Sequence, residues 1–88
     1  MTGIDNLLAE RERTHGSFRH VAKLAHGLQE VMHRAPGHEL LSAEKVVALD
    51  MIALKIARII AGDDTHADHW RDIAGYATLI ADMCEGKR

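Results

Sequence analysis

LDMIALKIARIIAG, residues 49–62, is apolar or small at every position except Asp50, Lys55 and Arg58. A segment of this composition belongs at the centre of a helical core, and such cores admit charge only when it is paired. At about 100° per residue, Asp50, Arg58 and Lys55 project to roughly 0°, 80° and 140°, with Glu44 near 120° a turn or more earlier. The charges therefore share one side of a helix that is apolar around most of its circumference. Ser42 is placed to cap this helix and Gly62 to end it as a C′ residue.

Working outward, the polar loop Asp63–His66 leads to a second strongly patterned segment, from about Ala67 to Cys84. Its spacing groups Trp70, Ile73, Ala74, Ala77, Ile80, Ala81 and Cys84 on one apolar face. Asp68, Asp72 and Gly75 take the opposite side, with Tyr76 close by. Leu79 and Met83 also fall towards that second side, where a single chain would expose them and an oligomer would cover them. Upstream, the only proline, in RAPGHELLS, marks the main connection between helices. Before it, Ser17 can cap a helix running to His33 or Arg34, with Phe18, Val21, Ala22, Ala25, Leu28 and Met32 at helical spacing. A short first helix over about residues 4–13 stops at Thr14-His15-Gly16. No sustained alternation suggests a strand. The expectation is one all-α domain over residues 1–88, an antiparallel bundle of three main helices and a short N-terminal one, with residues 1–3 and 86–88 frayed.

Composition limits the function. Eighty-eight residues approach the lower size at which one core suffices, and oligomerisation is a common remedy. A single cysteine excludes an internal disulfide framework and suits a reducing cytoplasm. The N-terminal residues lack the pattern of a signal peptide, and the charges at Asp50, Lys55 and Arg58 interrupt the longest apolar run, arguing against a membrane span. With a net charge of −2 and no basic block, duplex nucleic acid is a poor partner. Seven histidines make charge sensitive to pH near 6.

Two groups of residues carry candidate chemistry. Lys55 and Arg58 either pair with Asp50, Asp72 or Glu44, or form a clamp for phosphate or carboxylate in which Arg58 binds in bidentate fashion. In HADHWRD, Asp68 and Asp72 lie one turn apart and repel unless a cation stands between them. That cation is Arg58, Lys55, Arg71 or a divalent metal held by Asp72, Asp68 and His69, Mg²⁺ with a nucleotide being the more plausible ion. No HExxH or CxxC spacing supports zinc. Tyr76 is placed to stack on a base or to hydrogen-bond a carboxylate. His15, His20, His26, His33 and His38 form no spaced cluster and read as surface or interface histidines; Cys84 reads as a small core residue.

ERTHGSF, LDMIALKIARI and DHWRDIAGYATL together resemble a family of small phage and prophage proteins of unassigned function over roughly residues 10–82. Its marks are a Tyr- or His-Gly turn, an Asp-x4-Lys-x2-Arg helix and an Asp-Ile-Ala-Gly-Tyr-Ala helix. That family in turn resembles the all-α, MazG-like nucleotide pyrophosphohydrolases and phage nucleotide-modification-associated domains. The resemblance implies a homo-oligomeric bundle and a nucleotide or other phosphorylated small molecule as ligand, held by Lys55, Arg58, Asp72, Tyr76, Asp50 and His15 around the His-Gly turn. It also implies a setting in host takeover or anti-defence, by sequestration of a signalling nucleotide. In the hydrolases, Glu-x-x-Glu and Glu-x-x-Asp motifs hold Mg²⁺. Here Asp72 matches the final Asp, but His69 stands where its Glu partner would be, and Asp50, Lys55 and Arg58 occupy the helix where the double-Glu motif is expected. That departure weighs against hydrolysis and favours binding. A Mg²⁺-dependent pyrophosphohydrolase using Asp72, His69, Asp68 and Glu44, and a module binding a host protein, are the two alternatives.

Overall fold

The computed structural model describes residues 2–88. Four helices account for most of them: α1 (Gly3–His15), α2 (Phe18–Arg34), α3 (Ala43–Ala61) and α4 (Ala67–Cys84). A single 3₁₀ turn, His38–Leu40, sits in the connection after Pro36, and among the described residues there is no strand. No helix among them is long and apolar enough to cross a membrane. The frayed start expected at residues 1–3 falls partly on Met1, which lies outside the described residues. Thr2 forms a capping box with Asp5 at the start of α1. At the other end the Lys87 amide donates to the Asp82 carbonyl.

Helix α3 is central, packed on α2 along one side and on α4 along the other. The α2–α3 seam holds the buried core: Val21, Ala25 and Ala57, flanked by Leu24, Leu54 and Ala61. Buried alanines on α3 (Ala48, Ala53, Ala57) let neighbouring backbones approach closely. His33 and Asp50 close the seam at 2.8 Å, and the Gln29 side-chain amide donates to the Asp50 carbonyl. On the other side Lys55 meets Asp72 at 2.9 Å.

The stripe on α3 is thus divided among its neighbours. Asp50 turns to α2 and Lys55 to α4, while Arg58 faces the space beside α1. A central helix has no single polar face, because polar residues spread over about 140° of its circumference meet different elements.

Four local expectations change. Ser17 and Ser42 stand at the N-cap positions, but neither side chain makes a capping hydrogen bond. Gly62 ends α3 at a negative φ of −121° rather than in the left-handed conformation. The inward line of α4 runs through His69, Ile73, Tyr76 and Ile80, whereas Trp70, Ala74, Ala77, Ala81 and Cys84 are exposed. His69 is the buried residue of that helix, 1% exposed. Leu79 and Met83 stand half-exposed, as the spacing predicts for a single chain. On α2, Phe18 projects into solvent rather than joining the core.

Candidate functional site

The two tight corners of the chain meet backbone to backbone. Gly16, buried and at φ +84°, joins α1 to α2; Gly62 begins the connection from α3 to α4. A Cβ on Gly62 would stand 2.6 Å from the Gly16 nitrogen, and one on Gly16 would stand 2.6 Å from the Ala61 carbonyl oxygen. The Asp63 amide donates to the Thr14 carbonyl at 3.1 Å, fastening the corners together. At Gly16 only glycine suits both the space and the positive φ. At Gly62 space alone decides.

This contact brings together side chains that are distant in sequence. His15 from the end of α1, His66 from the α3–α4 connection and His69 from α4 form a packed imidazole cluster, with ring centroids 4.7–5.7 Å apart. His69 Nε2 lies 3.4 Å from the Thr14 carbonyl and 3.3 Å from His15 Nδ1. A carbonyl can only accept, so His69 carries its proton on Nε2 and His15 Nδ1 is the acceptor. Neutral His15 then keeps its own proton on Nε2. Burial holds both imidazoles below the ordinary histidine pKa. For His15, the neighbouring His69, Arg58 and Arg11 add to the effect. For His69, the Thr14 hydrogen bond opposes it, while His66, Lys55 and Arg58 reinforce it.

Beside the cluster, α1, α2 and α3 enclose a cavity of about 630 Å³. Its polar wall is Arg11, Glu12, His15 and Arg58; its apolar wall includes Leu8, Phe18, Val21 and Leu54. The volume and the mixture of walls are those of small-molecule sites. Arg58 Nε is buried without a hydrogen-bond partner among the described residues. Leaving such a donor unpaired costs roughly 1–3 kcal/mol or more.

The other expected ligand residues do not gather here. Lys55, mostly buried, is engaged by Asp72, and its hydrogen bond is the main reason the Asp72 carboxyl is held below the usual range. Asp50 is occupied by His33. Tyr76 lines a separate, apolar groove between α3 and α4. The proposed metal set is dispersed as well. Asp72 faces Lys55, Asp68 pairs with Arg71 on its own helix, His69 points inward and Glu44 stands exposed in the first turn of α3. Among the described residues, no three His, Cys, Asp or Glu side chains are arranged to hold a metal ion.

His66, Arg11 and the Gly16–Gly62 contact are absent from the sequence-based site. Arg11 lies in an alternating charge run that gives no sign of its direction. Only the two glycines, each ending a helical pattern, hinted that the corners were special. Of the histidines read as unclustered, His15 joins His66 and His69, while His33 and His38 pack together with ring centroids 4.6 Å apart. Sequence separations of about fifty positions carry no spacing signal.

No curated protein and no solved structure matches this chain significantly. A family model, described as a domain of unknown function (DUF6378), matches residues 3–84. With nearly its whole length matched, the chain belongs to that family.

Proposed function

We propose that the protein binds a nucleotide or similar phosphorylated small molecule in the cavity between α1, α2 and α3. The unpartnered Arg58 Nε carries the reading, because a phosphate oxygen would satisfy that donor and balance the positive charge of Arg58 and Arg11. His15, neutral near pH 7, offers a donor on Nε2 without further charge. Glu12 suits the hydroxyls of a ribose, and Phe18 with Leu8 provides an apolar surface for a base. The Lys55–Asp72 pair stands behind the site as a support rather than as the clamp itself. Sequestration of a signalling nucleotide is the role that the phage-protein resemblance would attach to such a site.

The test is thermal stabilisation and calorimetric titration with a panel of nucleotides, with and without Mg²⁺, beside Arg58→Ala. Binding by the wild type without turnover, lost in the variant, is the expected result. Because the Arg58 side chain makes no hydrogen bond or ion pair among the described residues, the variant should unfold within about 1 kcal/mol of wild type, or slightly above it. A loss above about 3 kcal/mol would instead mark Arg58 as part of a structural charge network. Released pyrophosphate would replace this reading with a hydrolase, and silence across the panel would favour a module for protein partners.

A further inference from the structure

The chain exposes more surface than its size calls for. A folded monomer of 9.7 kDa presents about 5,100 Å², but this one presents 6299 Å². Its radius of gyration, 15.2 Å, likewise exceeds the value of about 12 Å for a compact domain of this length. The difference of roughly 1,200 Å² per chain exceeds the area of about 800 Å² that each partner contributes to a standard protein–protein contact, so it is enough surface for one.

Two features account for where that surface lies. No residue of α1 is buried, and Ile4, Leu7 and Leu8 are each more than half exposed. They occupy positions i, i+3 and i+4, a single apolar stripe on a helix whose start is fixed by its own capping box. The second feature is the groove of about 400 Å³ between antiparallel α3 and α4, lined by Leu49, Ile52, Ala77, Ile80 and Cys84 with very little polar surface. Lys45 is its one charged lining residue and makes no ion pair among the described residues. The exposed stripe carries Asp5 beside it. One helix lacks a groove, and one groove lacks a helix.

We propose that α1 of one copy docks its Ile4–Leu7–Leu8 stripe into the α3–α4 groove of a second copy, and that the exchange is reciprocal. Helix-in-groove recognition uses this i, i+3, i+4 spacing of anchors. Reciprocity closes the contact into a two-fold pair, whereas a one-way contact would propagate into open chains. The pairing is argued from exposed apolar area and is tested without ligand; Leu8 is the one residue that borders both the stripe and the α1–α2–α3 cavity.

Cys84 lies in the groove and is the only cysteine, so it reports the contact directly. Disulfides form only when the two Cα atoms come within about 7 Å. Ile4→Cys, Leu7→Cys and Leu8→Cys would each be oxidised mildly and mapped by peptide mass, with Cys84→Ser as the control background. The expected result is a link between α1 and Cys84 of different copies in at least one variant, lost with Cys84→Ser. Light scattering of the reduced wild type should give twice the chain mass at tens of micromolar. A monomer forming no such link would overturn the proposal. So would an oligomer whose links join only Cys84 to Cys84 or α1 to α1.

Discussion

The two ends of the α3–α4 pair are built on opposite principles. At the corner end, glycines press backbone against backbone, and polar groups fill the remaining space: three imidazoles, a Lys–Asp pair and an unpartnered guanidinium. At the groove end, between the start of α3 and the end of α4, aliphatic side chains line an open channel and leave it apolar. Close backbone contact specifies one geometry and can hold polar atoms at fixed positions. Open aliphatic surface specifies only that something apolar should cover it. The proposed ligand site accordingly draws on the corner, and the proposed pairing of copies on the groove.

The comparison is broken most severely at Gly62. Gly62→Ala drives a Cβ into the backbone of the other corner, where no side chain can move aside. Overpacking of this kind costs typically 1–3 kcal/mol and occasionally more, and the cost at a backbone contact should lie at or above the top of that range. Chemical denaturation should therefore show a loss of about 3 kcal/mol or more. An alanine variant as stable as wild type would mean that the corners are not in contact.

Acid should weaken the same end by a smaller, graded amount. His15 and His69 bind protons less readily folded than unfolded. The unfolded chain thus gains protons first as pH falls below about 6.5, and stability drops through the window between that value and the lowered folded pKa values. Above about pH 7 this contribution is fully present and the curve is flat. A second loss follows at lower pH, where Asp72 and Asp63, both held below the usual carboxylate range, take up protons. Denaturation midpoints for wild type and His69→Gln, compared between about pH 7.5 and about 5, should diverge, the variant having the shallower slope. Equal slopes would remove the imidazole cluster as the cause.

The smallest effect is expected at the α2–α3 seam. His33 and Asp50 are partly solvated, so His33→Gln should shift stability by no more than about 0.5 kcal/mol in denaturant titration. A much larger loss would make the His33–Asp50 pair a structural element of the seam in addition to its apolar core.

What the sequence made legible was local. The span of α4 from Ala67 to Cys84, the start of α3 at Ala43 and the connection around Pro36 follow from helical spacing and from turn and breaker residues, which act over a few residues. The inward line of α4 did not follow. Of the expected face only Ile73 and Ile80 turn inward; its three alanines have little area to bury, and His69 takes the central position by hydrogen-bonding Thr14. Of the candidate site, Arg58 and the His-Gly turn were the parts to which the sequence pointed. The division of Asp50, Lys55 and Arg58 among three neighbours depended on which helices flank α3, a matter of topology that periodicity does not encode.

The meeting of the corners also bears on the order of folding. Helices α2 and α3 are joined by a short connection and can pack early, whereas Thr14–Gly16 and Ala61–Asp63 meet across most of the intervening chain. Contacts that close long loops become favourable only after nearer ones have shortened the effective loop. Loosening the corner should then leave the refolding rate nearly unchanged and speed unfolding, so that Gly16 and Gly62 govern how long a folded molecule lasts more than how quickly it forms.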